Sequence, residues 1–99
     1  MQQNAILVKQ NKIHYNLVDL VPDGPEFIET AGEATITLYP ASGYRLPSSI
    51  QISGVRNSSY DRNTGIITIS DPIEGEQIEI KAVGVFILRS QKNYLGSVG

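Results

Sequence analysis

Apolar and polar residues alternate one by one along most of this chain. Ala34, Ile36 and Leu38 fall on one side of a strand, with Thr35, Thr37 and Tyr39 on the other. Ile50 and Ile52 alternate with Gln51 and Ser53. Ile67 and Ile69 alternate with Thr68 and Ser70, and Ile78, Ile80 and Ala82 with Glu79, Lys81 and Val83. A period of two gives a strand one dry and one wet face, because successive side chains leave the backbone in opposite directions. The Ile, Val and Thr of these runs suit a pleated, half-buried surface. Two earlier strands are predicted, at residues 5–8 and at residues 13–17, where Ile13, Tyr15 and Leu17 alternate with His14 and Asn16. A last strand at residues 85–88 is apolar throughout, which suits burial on both faces or cover by a partner.

Turn signals separate the runs. Pro22-Asp23-Gly24-Pro25, Pro40-Ala41-Ser42-Gly43, Asp71-Pro72 and Glu74-Gly75 are breaks. Asp61-Arg62-Asn63-Thr64-Gly65 predicts a tight hairpin with Gly65 in the left-handed conformation. No stretch sustains a three-turn amphipathic helix without crossing Pro or Gly. About seven short strands with turns between them predict an all-β fold, a sandwich or small barrel. Residues 21–32 predict an acidic surface loop, with Phe27 and Ile28 anchoring it or touching a partner. Residues 90–99 are a polar tail with Tyr94, Leu95 and Val98 embedded.

At 99 residues the chain makes one domain. Only 18% of its residues are charged and the formal net charge is −2, so no basic stripe offers a grip on nucleic acid or an anionic membrane. The absence of cysteine removes disulfides, thiolate-bound zinc and thiol catalysis. The N-terminal apolar run stops at Val8, before Lys9, so a cleaved secretory leader is not expected.

Candidate chemistry is thin. His14, the single histidine, falls on the wet face of its strand, and no G-x-S-x-G turn offers a nucleophile. Asp23, Glu26 and Glu29 are hard oxygen donors for calcium, but their spacing matches no calcium loop, and a solvated loop is the reading preferred. Asp61, Asn63 and Gly65 imitate the start of an EF-hand loop and lack its closing Glu. Asn57-Ser58-Ser59 matches a glycosylation acceptor without other support. Tyr15, Tyr39, Tyr44 and Tyr60 suggest either a stacking platform or, the reading preferred, half-buried structural rings with wet hydroxyls. No catalytic residue, cofactor or metal is expected.

The stretch Gly43-Tyr44-Arg45-Leu46-Pro47-Ser48-Ser49-Ile50-Gln51-Ile52-Ser53-Gly54 is followed by Tyr60-Asp61-Arg62-Asn63-Thr64-Gly65-Ile66-Ile67-Thr68-Ile69 and by Ile78-Glu79-Ile80-Lys81-Ala82. Together they resemble small bacterial and phage immunoglobulin-like domains, over roughly residues 12–83. The resemblance implies an immunoglobulin-like β-sandwich of about seven short antiparallel strands. It would occupy residues 12–84, between an N-terminal arm or first strand at residues 1–11 and a C-terminal strand and tail at residues 85–99. It also implies a non-enzymatic phage virion protein, made in the host cytoplasm. The expected role is an auxiliary or decoration protein that binds capsid subunits, with homo-oligomers possible in the particle. The partner-binding residues expected are Phe27, Ile28, Phe86, Ile87, Leu88, Tyr94 and Leu95, apolar groups in the segments the sandwich needs least. The alternatives are a carbohydrate- or host-surface-binding module of a tail fibre or bacterial surface protein and, well behind, a small hydrolase.

Overall fold

The structure is a computed structural model that describes residues 10–87, and these form strands and turns with no helix. The strands are β1 (Gln10–Val18), β2 (Leu20–Asp23), β3 (Phe27–Glu29), β4 (Glu33–Pro40), β5 (Tyr44–Arg45), β6 (Gln51–Ser53), β7 (Val55–Asp61), β8 (Ile66–Pro72), β9 (Ile78–Val83) and β10 (Val85–Phe86). One four-stranded sheet runs β3-β1-β9-β6 and a second β2-β4-β8-β7, while β10 and β5 make a two-stranded ribbon.

Alternation explains where the core lies. Ile13, Ile28, Ile78, Ile80 and Ala82 come inward from the first sheet. Leu20, Ala34, Ile36, Leu38, Ile67 and Ile69 come inward from the second, and all join one cluster. The two sheets therefore face each other in a sandwich-like arrangement. Ile36, Ile67, Ile69 and Ile80 are wholly buried. Each such side chain contributes roughly 1.5–3 kcal/mol relative to exposure. No polar or charged residue is buried among those described.

Three expectations need correction. Ten strands stand among the described residues where about seven were expected, because the chain changes sheets often and each crossing cuts a strand. The pairing is not wholly antiparallel: β1 runs parallel to β9, from Ile13 beside Ile78 to Val18 beside Val83. A parallel pair needs a long connection, and here everything between β1 and β9 supplies it. The segment 21–32 is not a loop, since β2 pairs with β4 and β3 with the start of β1. Pro22 does not break β2, because an edge strand tolerates a missing ladder donor.

Several crossings use left-handed backbone, at Asp19, Ala31, Gly54 and Gly75. Asp19, at φ 59°, carries the chain from β1 in one sheet to β2 in the other. Gly54, at φ 87°, does the same between β6 and β7, and a Cβ there would overlap the Gln77 carbonyl oxygen. The predicted hairpin stands: β7 and β8 pair antiparallel and Gly65 has φ 82°. Asp61 organises its turn, accepting the Gly65 N–H on its carbonyl (2.7 Å) and the Asn63 N–H on its side chain (2.9 Å).

Candidate interaction surface

The outward positions of the two sheets are polar along most of each strand and turn apolar at one end of the molecule. On β1 the outward series is His14, Asn16, Val18, and on β9 it is Glu79, Lys81, Val83. The parallel register sets Val18 beside Val83, 49% and 55% exposed. On the other sheet β4 runs Thr35, Thr37, Tyr39, and Tyr39 pairs with exposed Val21 of β2. Ile66, also exposed, opens β8 beside Thr37. These positions gather because the Asp19 crossing joins the sheets there: the Asp19 carbonyl accepts the Ala41 N–H at 3.0 Å.

The ribbon belongs to the same end. The Gly84 N–H donates to the Val18 carbonyl at 2.8 Å, so β10 leaves the sandwich directly beside the Val18–Val83 pair. Phe86 then pairs with Tyr44, and Val85 with Arg45. The two rings meet edge to face, 5.6 Å between centroids at 64°, a geometry that suits the aromatic quadrupole. The Ile87 N–H extends the ladder to the Gly43 carbonyl at 3.0 Å. Phe86 remains 59% exposed, more than any other large apolar residue described. Of the exposed large apolar side chains among the described residues, all but Phe27 therefore sit at this end.

The opposite end is acidic. Glu29, Glu33, Asp71, Glu74 and Glu76 gather about the start of β4, the end of β8 and the approach to β9, with Glu26 beside β1. Lys12 and Arg56 are the cations there, and Arg56 Nη1 lies 3.7 Å from Asp71 Oδ1 across an exposed gap. Such a surface pair contributes little to stability.

The structure separates the predicted contact residues. Phe86 is exposed on the ribbon, and Ile87 is half-buried beside it. Phe27 is exposed too, but β3 pairs it with Lys12 at the acidic end. Six residue steps along β1 lead from Lys12 to Val18, about 20 Å at the usual strand rise. Ile28 is a correction: it is 3% exposed and part of the core. Within the short β3, alternation turns Phe27 and Glu29 outward and Ile28 in. Leu88, Tyr94 and Leu95 lie outside the described residues. Val18, Val21, Tyr39, Ile66 and Val83 were missed. The signal was an apolar residue in the wet phase of an alternating run, and it recurs where different strands end together.

The remaining candidates fall apart in space. Asp23 sits on β2 and Glu29 on β3, in different sheets, so the acidic segment is not one donor cluster. Among the described residues no group of three or more His, Asp or Glu is placed to hold a metal. His14 is exposed on β1 in register with Glu79. The four tyrosines face different ways. Tyr15 and Tyr60 pack on the core and donate hydroxyl protons to the carbonyls of Pro25 (2.6 Å) and Pro47 (2.7 Å). Burial raises the pKa of both phenols, helped by Glu26 beside Tyr15 and by Asp61 beside Tyr60.

No protein-family model, curated protein or solved structure matches this chain.

Proposed function

We propose that this is a non-enzymatic immunoglobulin-like domain that docks on other protein subunits through its apolar end, as an auxiliary protein of a phage virion. The observation that carries docking is the gathering of Val18, Val21, Tyr39, Ile66, Val83 and Phe86 at one end while carboxylates crowd the other. Exposed apolar groups cost solubility unless something covers them, and a contiguous set marks a surface for association. Enrichment of aromatic residues is typical of interface centres, and Tyr39, Tyr44 and Phe86 supply it at this end. The virion role rests on the resemblance of residues 12–83 to phage immunoglobulin-like domains.

The chain has no cysteine, so Phe86→Cys and Phe27→Cys each carry a single thiol for a photo-cross-linker. With purified virion shells, the label at position 86 is expected to capture a shell subunit and the label at position 27 none. Equal capture from both positions, or capture from position 27 alone, overturns docking through the ribbon end. Absence of any shell adduct overturns the virion role.

A further inference from the structure

A hollow of about 340 Å³ opens beside the ribbon, lined by Arg45, Leu46, Pro47, Ser48, Arg62 and Asn63. Its walls come from the end of β5 and from the β7–β8 turn. The two are tied together by the Tyr60 hydroxyl on the Pro47 carbonyl, so the segments that carry the two arginines are held against each other. Neither guanidinium has an ion-pair partner among the described residues, in a chain whose net charge is negative. Asp61, the nearest carboxylate in sequence, already holds the Asn63 N–H at 2.9 Å. Two unpaired guanidiniums sharing a concave wall mark a site for an anion.

Resting on the docking reading above, we propose that this hollow seats one carboxylate of the partner protein, the side chain of an exposed Glu or Asp. The carboxylate fits better than phosphate. Phosphate sites draw on several backbone N–H groups at once, whereas here the N–H groups of Thr64, Gly65 and Asn63 are all committed to Asp61. Two cations beside Asp61 suit a singly charged, planar acceptor, which a guanidinium grips with two parallel hydrogen bonds. Leu46 and Pro47 offer apolar wall to the methylenes of the incoming side chain. The seat adds register and orientation to a docking face that is otherwise apolar and non-directional.

The test is a heteronuclear NMR titration of the ¹⁵N-labelled chain with an acetylated tetraglutamate peptide. The tetraglutamine peptide and inorganic phosphate are titrated in parallel. Tetraglutamate is expected to shift the amides of Arg45, Leu46, Ser48, Arg62 and Asn63, and tetraglutamine to leave them still. In Arg45→Gln/Arg62→Gln, whose altered side chains are exposed, the affinity for tetraglutamate is expected to fall about tenfold or more with the rest of the spectrum unchanged. No response to tetraglutamate, an equal response in the double variant, or a stronger response to phosphate overturns the carboxylate seat. Cross-linking from Phe86→Cys separates the two readings. Shell capture that persists while tetraglutamate fails keeps docking and removes the seat; loss of capture itself removes docking.

Discussion

At the end of the sandwich that holds the β3–β4 turn, the outward residues are Glu26, Glu29, Glu33, Asp71, Glu74 and Glu76. At the end that holds the ribbon, exposed Val18, Val21, Tyr39, Ile66, Val83 and Phe86 stand among Asp19, Asp23, Arg45, Asp61 and Arg62. Both ends close over the same interior, and each is strapped by one tyrosine: Tyr15 to Pro25 at the acidic end, Tyr60 to Pro47 at the apolar end. The interior therefore does not distinguish them. The difference lies in positions that the fold leaves free, which is where selection for solubility and for association acts separately. Six carboxylates keep one end in water; the other carries Asp19, Asp23 and Asp61 amid an apolar rim, beside two arginines without an ion-pair partner among the described residues.

The largest expected effect tests the shared interior. Ile67→Ala empties a wholly buried site beneath both ends and is expected to cost about 2–5 kcal/mol in urea denaturation. Phe86→Ala, at an exposed site with one aromatic neighbour, is expected to cost about 1 kcal/mol or less while weakening docking without abolishing it, since the other apolar residues of that end remain. If Phe86→Ala destabilised as much as Ile67→Ala, the ribbon would belong to the core and the contrast would dissolve.

The tyrosine straps give the next effect. Tyr15→Phe and Tyr60→Phe each remove one hydrogen bond and are expected to cost about 1 kcal/mol. They also set an alkaline limit. Folding raises the pKa of both phenols, chiefly by burial. The unfolded chain therefore loses these protons first, at about pH 10, and stability falls as pH rises above that point. Below it the two phenols contribute no slope. Chemical denaturation at several alkaline pH values is expected to show this fall in the wild type and a shallower one in the double Phe variant. An unchanged slope would mean that the straps are not held in solution.

The smallest effect belongs to the acidic end alone. Ala31 is exposed and left-handed, at φ 65°, in the turn closed by the Gly32 N–H on the Glu29 carbonyl at 2.7 Å. Ala31→Gly relieves that strain and is expected to raise stability by up to about 1 kcal/mol, less the unfolded-state entropy of glycine. Docking is expected to be untouched, so a change in shell capture by this variant would show that both ends take part.

Much of the fold was legible in the alternation. The inward phases of β4, β8 and β9 and the Gly65 hairpin follow from period two and turn chemistry, both local properties of the chain. Segment 21–32 misled because its Pro and Gly residues signal breaks, while the strand pairing that overrides them comes from residues far along the chain. Ile28 misled for the same reason: in a three-residue strand the inward phase cannot be told from the outward one without its neighbour. Val18, Val83, Tyr39 and Ile66 were visible singly as lapses in a polar phase. Nothing local says that four strand ends meet at one place.

By itself the sequence determined that the described chain is β, which faces of its longer strands are dry, and where it turns. These depend on steric preference and on burying every second side chain, over spans of a few residues. Only the tertiary structure decided that β1 lies parallel to β9, that Asp19 and Gly54 carry the chain between sheets, and that exposed apolar groups gather at one end. Those outcomes depend on pairing between distant segments, whose free energy comes from a core that exists only once both sheets have closed over it.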